Sequence, residues 1–205
     1  AYIKCDYGKV TTKELMGTSN TIRLDYTKNS YFEYIKNASI EADYSEFTIA
    51  KVKDLNLEAD YTTSVIEIAE NVVYECDYGS LKIDNINNLD GEGDYLALRL
   101  GTIYKTATIE ADYGSIKIDR LTPNTKKIDI DTEFVGITVG IDSDYNFDFN
   151  IEIEFGSLRE SDGFHFTEKH TDNFGKKYVG YHGKPNSNNA VLIKSEYGSI
   201  AFKNN

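Results

Sequence analysis

The chain has 205 residues, with 34 acidic and 22 basic side chains and a formal net charge of −12. This acidity argues against sequence-independent binding to nucleic acid or to an anionic membrane surface. No apolar run is long enough to span a membrane, and the length suits one elongated domain over residues 1–205.

One short phrase recurs ten times, and each copy has an aromatic residue at its centre, which we number position zero. The clearest copies are residues 74–83 and 109–118. The central aromatics are Tyr7, Tyr26, Tyr44, Tyr61, Tyr78, Tyr95, Tyr113, Phe134, Phe155 and Tyr197. Successive copies are 17–21 residues apart, except that the last follows after 42. A nearly fixed step carrying strand-like sequence predicts a stack of similar coils.

Along the chain, residues 1–35 form two atypical coils and residues 36–122 form the most regular ones. Coils lengthen over 123–159, with a loop at 123–127. Residues 160–190 interrupt the repeat. Here Phe164 and Phe166 indicate one strand, residues 177–181 indicate another, and residues 172–175 suit a turn between them. Residues 160–190 are therefore predicted to form a hairpin or an irregular coil. The last phrase, residues 193–202, returns to the pattern and should close the stack.

Within each phrase, positions −4, +3 and +5 are mostly branched apolar residues and position −2 is mostly small. Alternation with period two predicts strands with one buried face. Glycine at position +1, as in Gly79 and Gly114, followed by serine, predicts a corner at positions +1 and +2. The small residue at −2 leaves room for a ring at zero, so we expect the aromatics to form a buried core column. An exposed aromatic binding strip is the alternative.

Acidic residues precede the aromatic in every copy. Position −1 is acidic in all ten copies and position −3 in seven, the exceptions being Lys4, Arg23 and Lys194 near the two ends. Both positions should face solvent as columns of like charge, which is destabilising between neighbouring strands. Backbone N–H groups bound by the carboxylates, or the basic residues at position +4, are the offsets we favour. Bound Ca²⁺ is the alternative. The basic +4 residues are Lys82, Arg99, Lys117 and Arg159.

No cofactor and no metal or catalytic residue is predicted. Cys5 and Cys76 both occupy position −2, four coils or roughly 19 Å apart, which is too far for a disulfide, so we expect two free, buried thiols. His165, His170 and His182 lie in the interruption. They could hold a metal, but their spacing matches no familiar site, and we expect exposed hairpin residues. A glycosidase pair among the carboxylates is a further alternative, although the short returns leave little room for a cleft.

The repeated Asp-Tyr-Gly-Ser-Ile-x-Ile phrase resembles the bacterial adhesin family of exported, single-stranded β-helical proteins common in Bacteroidetes. Residues 177–183 and 191–200 look like the closing segment of that family, and the likeness covers nearly the whole chain. The resemblance implies an exported protein of the cell envelope or surface with a binding or structural role, whose surface ligand is a protein or a glycan. It offers no catalytic residues. The chain starts at Ala1, already inside a coil, so we expect a processed or trimmed end.

The sequence therefore predicts an all-β fold, a single-stranded, right-handed parallel β-helix of about ten coils of 17–21 residues. A hairpin or irregular coil lies near 160–190, and the rod should be roughly 50 Å long at the spacing of strands. The alternatives to a non-enzymatic surface protein are a polysaccharide-active enzyme and a cation-binding solenoid. A homodimer through edge-to-edge pairing of end coils is possible.

Overall fold

The computed structural model describes all 205 residues, which form fifteen strands and no helix. The strands are β1 (Tyr2–Asp6), β2 (Thr11–Leu15), β3 (Thr21–Asp25), β4 (Ser30–Asp43), β5 (Glu46–Asp60), β6 (Thr63–Asp77), β7 (Ser80–Asp94), β8 (Ala97–Leu121), β9 (Lys127–Ile141), β10 (Phe147–Glu154), β11 (Ser157–Arg159), β12 (Phe164–Thr171), β13 (Gly175–His182), β14 (Ala190–Glu196) and β15 (Ser199–Asn204). Their pairing is parallel from coil to coil and produces a solenoid of about eight turns. This confirms the predicted β-helix, with fewer full turns than the ten coils expected.

The course of one coil can be read from the burial of β5. Phe47 and Ile49 are buried two residues apart, as in a strand, but Val52 and Leu55 each follow after three. A side chain stays on the inner face only at steps of two, so each step of three marks a bend in the chain. The pairing with β4 skips residues at these two places, and a third bend follows at the aromatic residue. Each of the regular coils from β4 to β7 thus has three bends around one core.

Successive coils stack in a register that places equivalent positions over one another. Position −4 runs from Ile40 through Leu57, Tyr74 and Gly91 to Ile109. The Tyr74 ring takes the place of an aliphatic side chain in this column, and a Cβ on Gly91 would lie 2.5 Å from a carbon of that ring. Glycine in the next coil therefore makes room for the larger side chain, and the column stays closed.

The third bend lies at the aromatic residue itself, so the predicted corner at positions +1 and +2 was wrong by one residue. All ten central aromatics have φ between 47° and 57°, the left-handed region. The Tyr44 N–H donates to the Asp60 carbonyl of the next coil at 3.0 Å, which keeps the strands paired through the bend. Beyond it, position +1 points inward. Ser45 and Thr62 are buried there, and the Ser45 N–H donates to the Thr62 hydroxyl at 3.1 Å.

The predicted hairpin is confirmed at the C-terminal end of the solenoid. Strands β12 and β13 pair antiparallel with each other, and β13 pairs antiparallel with β10. The outer strand β12 contains a bulge between Phe166 and Glu168 and carries exposed charged residues, features that blunt an open sheet edge. The hairpin therefore caps this end of the stack.

The last phrase does not close the stack, as was expected, but lies inside it. Strand β14 pairs in parallel with β9 on one side and with β10 on the other. It therefore separates coils eight and nine, which are consecutive in the sequence. Besides β14, only β13 of the hairpin pairs with β10, and β11 pairs only with β15, so β14 and β15 together join the last coil and its cap to the rest of the solenoid.

The left-handed bend predicts an unusual order of stabilities at position 78. Replacing Tyr78 by Ala should lower the free energy of unfolding by about 1 kcal/mol more than replacing it by Gly, because Ala retains a Cβ in the left-handed region and Gly does not. Urea unfolding followed by circular dichroism measures both variants. Tyr78→Phe is the control and should change stability little, since Phe134 and Phe155 occupy equivalent positions. Equal stability of the Ala and Gly variants would contradict the assigned backbone conformation.

The position of β14 predicts how truncation acts. Deleting residues 190–205 should remove hydrogen-exchange protection from β10, β12 and β13 while β5 to β7 stay protected, because β14 is the only parallel neighbour that holds β10 to the stack. Deleting only the exposed residues 203–205 is the matched control and should leave β10 protected. Unchanged protection of β10 in the longer deletion would show that the cap docks without β14.

Candidate binding surface

The ten central aromatics form one unbroken stack along the solenoid, which we call the aromatic ladder. Neighbouring ring centroids are 4.7–5.2 Å apart, and the ring planes differ by only 2–7°. The order is that of the coils in space, so Tyr197 stacks between Phe134 and Phe155. The predicted column of rings therefore exists.

The ladder is not buried, which corrects the expectation of a core column. The ten side chains are 43–78% exposed, whereas the residues at position −2 beside them are mostly buried. The left-handed bend explains the difference. An uninterrupted strand would direct position zero inward together with position −2, but the bend turns the ring out and brings position +1 in. The alternative of an exposed aromatic strip is thus the one that the geometry supports.

Each ring within the ladder has a neighbour on both faces, so the ladder presents ring edges and hydroxyl groups to solvent. At the C-terminal end, the free side of Phe155 meets the edge of Phe174 from the hairpin turn, with centroids 5.9 Å apart and planes at 64°. Desolvation raises the pKa of Tyr44 and Tyr78 above the usual value, and the neighbouring tyrosines add to the rise. These two hydroxyls therefore remain protonated at neutral pH.

A column of carboxylates runs beside the ladder at position −1, and a second runs at position −3. Desolvation raises the pKa of Asp43 and Asp94, and the carboxylates of the coils above and below raise it further. Of the expected bonds from backbone N–H groups to this column, one is present, from Asp94 N–H to Asp77 Oδ1 at 2.8 Å. The like charges of the columns are therefore only weakly offset by the backbone.

The basic residues at position +4 do not offset the acidic columns, contrary to expectation. Lys82 pairs with Asp84 at 2.8 Å and Lys117 with Asp119 at 2.6 Å, each two residues further along its own strand. Positions +4 and +6 follow the aromatic in the chain and share the outer face on one side of the ladder. Positions −1 and −3 precede the aromatic, so the acidic columns lie on the other side. Lys82 and Lys117 are therefore paired locally on the other side of the rings, and Arg99 and Arg159 form no ion pair.

Ion pairs involving the columns are confined to the ends of the solenoid. Lys4 pairs with Asp6 at 3.1 Å and Arg23 with Glu41 at 2.9 Å near one end, and Lys194 lies 3.7 Å from Asp131 near the other. The middle four coils carry eight column carboxylates, none of which has an ion-pair partner. These eight are Glu58, Asp60, Glu75, Asp77, Glu92, Asp94, Glu110 and Asp112.

A shallow, open groove follows the axis between the two columns, over the backbone of position −2 at Gly93, Ala111 and Thr132. No group of three or more His, Cys, Asp or Glu side chains is arranged to hold a metal ion. The carboxylates that line the groove all stand on the same outer face of one sheet, at positions −1 and −3 of successive coils. This arrangement suits contact with an elongated partner better than it suits a glycosidase pair, whose two carboxylates flank one bond.

The three histidines of the hairpin differ in their exposure to solvent. His165 and His170 are exposed on β12, as expected. His182 was also expected to be exposed but is buried. It stacks on Phe147 with centroids 5.1 Å apart, and its Nδ1 lies 2.6 Å from the Tyr145 carbonyl oxygen. The ring thus packs the hairpin onto the core.

Both cysteines are free, as expected from their spacing. Cys76 is buried, and desolvation raises the pKa of its thiol to about 12. Cys5 is only half-buried, because β1 pairs with a strand on one side alone. Neither thiol lies on the ladder, and Cys76 serves as a small apolar residue of the core.

No protein-family model, curated protein or solved structure was found to match the chain. Because all fifteen elements are strands, the chain has no apolar helix of the kind that crosses a membrane.

The raised pKa of Asp94 predicts a pH-dependent gain in stability on neutralisation. A carboxyl group whose pKa is raised in the folded state stabilises the fold when it is protonated, at low pH. This contribution is lost as the pH rises from the pKa of the unfolded state through the higher pKa of the folded state. Asp94→Asn should therefore raise Tm at pH 7 by about 1–3 °C, a small gain because solvent screens the repulsion between exposed carboxylates. The gain should vanish near pH 3, where the group is protonated in both states.

Thermal unfolding followed by circular dichroism at pH 3 and pH 7 provides the measurement. Glu67→Gln removes an exposed charge outside the two columns and should change Tm less. A lower Tm of Asp94→Asn at pH 7 would contradict the assigned repulsion.

Proposed function

We propose that the chain is a non-catalytic β-solenoid of the bacterial cell envelope or cell surface that binds a partner through its aromatic ladder. The observation that carries the proposal is the exposure of ten stacked rings in one continuous strip. At about 5 Å for each step, the strip is about 45 Å long. Contiguous exposed apolar surface of this extent on a folded protein typically marks an interaction site.

Backbone geometry alone does not account for aromatic residues at these bends. A left-handed residue other than glycine costs about 1–2 kcal/mol, and Gly or Asn adopts the same conformation more easily. Ring stacking contributes about 0.5–1.5 kcal/mol for each pair, which is no more than the strain. The rings remain half exposed, so burial adds less than it would in the core. A binding role gives a reason for aromatic side chains at all ten bends.

The location in the envelope and the adhesin-like role rest on the resemblance of the repeated phrase to exported β-helical adhesins. A rigid solenoid that presents the same groups at regular intervals suits contact with an elongated ligand, either a protein or a glycan. We favour binding over polysaccharide cleavage because the column carboxylates repeat along the rod and no two of them are set apart as a catalytic pair. A homodimer formed through the end coils stays a prediction.

The double variant Tyr61→Asn/Tyr78→Asn tests the proposal. Asn is tolerated in the left-handed region, so the bends should persist while two adjacent rings are lost from the middle of the ladder. Wild type and variant are compared on arrays of glycans and of basic, acidic and neutral peptides. We expect binding by the wild type to at least one class, weakened about tenfold or more in the variant. Loss of two central contacts of about 1 kcal/mol each would produce such a change.

Tyr61→Phe/Tyr78→Phe is the matched control, because it keeps the rings and removes only the hydroxyls. Circular dichroism and urea unfolding establish that both variants keep the fold. Array binding that is equal for the wild type and the Asn variant, in every class of ligand, would overturn the assignment of the ladder as the binding surface.

A further inference from the structure

We infer that the partner of the aromatic ladder is an extended polypeptide segment rich in lysine or arginine, which lies along the solenoid axis over the acidic side of the rings. This inference rests on the proposed function and specifies its ligand. It follows from three features of the surface: which parts of the rings are accessible, which charges flank them, and where along the rod those charges lack partners.

The accessible parts of the rings disfavour a glycan. Sugar rings bind aromatic residues by lying flat on the ring face, and in the middle of the ladder both faces of each ring are covered by neighbours 4.8–5.0 Å away. What remains is a row of ring edges and hydroxyl groups. The aliphatic stem of a lysine or arginine side chain can lie across such edges without needing a free face.

The charges beside the ladder require a cation. A lysine or arginine stem that crosses a ring edge brings its charged group to the position −1 carboxylate of the same coil, one residue before the ring. The register places Asp43 beside Asp60 and Asp94 beside Asp112, and this repulsion between coils adds to desolvation in raising the pKa of Asp43 and Asp94. A bound ammonium or guanidinium group relieves that repulsion and forms charge-assisted hydrogen bonds.

The two sides of the ladder differ, and this fixes where the partner lies. Beyond the rings, position +2 carries the small residues Ser80, Ala97 and Ser115, and position +4 carries cations such as Arg99. The small residues leave the ring edges open, but Lys82 and Lys117 already pair with Asp84 and Asp119, so this side has little net charge to attract a basic chain. The unpaired carboxylates of the acidic columns therefore set the side on which the partner lies.

The distribution of ion pairs points to the middle of the rod. The coils of Tyr61, Tyr78, Tyr95 and Tyr113 contain the eight column carboxylates without ion-pair partners, whereas near the ends Lys4, Arg23 and Lys194 occupy position −3 themselves. Three ladder steps span about 15 Å, the length of four or five residues of an extended chain. A short basic segment is enough to cover this stretch.

Fluorescence anisotropy with a labelled oligolysine peptide tests the inference. Asp77→Asn/Asp94→Asn removes two charges beside the ladder. The control Glu67→Gln/Glu70→Gln removes two exposed charges away from it, six and nine residues after Tyr61. Net charge is the same in both variants. We expect about tenfold weaker binding in the first and less than about twofold weaker binding in the second. Equal weakening would mean attraction to net charge alone and would overturn the inference. The single variants Asp77→Asn and Glu70→Gln repeat the comparison should a double variant not fold.

The ring variant Tyr61→Asn/Tyr78→Asn provides the second readout, because it leaves every charge in place. It should weaken oligolysine binding about fivefold, and unchanged binding would exclude a role of the ladder in holding the cation. Two further probes identify a different ligand class: an oligoglutamate peptide of the same length and a neutral β-linked glucan oligosaccharide. Ladder-dependent binding of either one, without oligolysine binding, would overturn this inference and leave the proposed function standing. Ladder-independent binding of all three would overturn both.

Discussion

In-register parallel pairing between coils is the constraint on which the rest of the structure depends. It sets Ala42 over Ala59 and Asp43 over Asp60, and it does the same for every position of the phrase. Apolar positions therefore merge into one core, and the aromatics merge into a ladder. The same register brings carboxylates into columns, where desolvation raises the pKa of Asp43 and Asp94 and repulsion between coils raises it further. The ladder and the acidic columns thus have a single cause. A register that stacks the aromatics also stacks the carboxylates that precede them in each copy.

The left-handed bend places the repeated aromatics on the outside of the solenoid. Without it, position zero would face inward and the rings would be core residues, as the period of two implies. With it, ten rings lie on the outside in a fixed order, each with its hydroxyl or ring edge in solvent. Phe134 and Phe155 stack as closely as the tyrosines do, so the hydroxyl is not needed for stacking. The prevalence of tyrosine is better explained by what the outer edge of the ladder contacts. The edge of a tyrosine ring is apolar, and its hydroxyl group can form a hydrogen bond.

The fold could be predicted from the sequence because the repeat and its alternation are strong signals. The exposure of the ladder was missed, although the sequence contains the evidence. Inward positions run −4, −2, +1, +3 and +5, and the single step of three across the aromatic marks a change of phase at that residue. Tyr61, for example, lies between buried Ala59 and buried Thr62. The location of β14 gave no such signal. Its phrase matches that of every other coil, so pairing preferences alone do not decide which two coils it separates.

The insertion of β14 shows that the ladder follows the repeated phrase and not the connectivity of the chain. The order of the backbone is broken between coils eight and nine, yet Tyr197 continues the stack between Phe134 and Phe155 with no change in spacing. Its acidic neighbour Glu196 pairs with Glu133 on one side and Glu154 on the other, so the −1 column is continuous as well. The crossing changes the path of the chain but leaves the aromatic ladder and the −1 column intact, as a role of the phrase at the surface requires. A partner that lies along the rod therefore meets the ladder and the −1 column on both sides of the crossing.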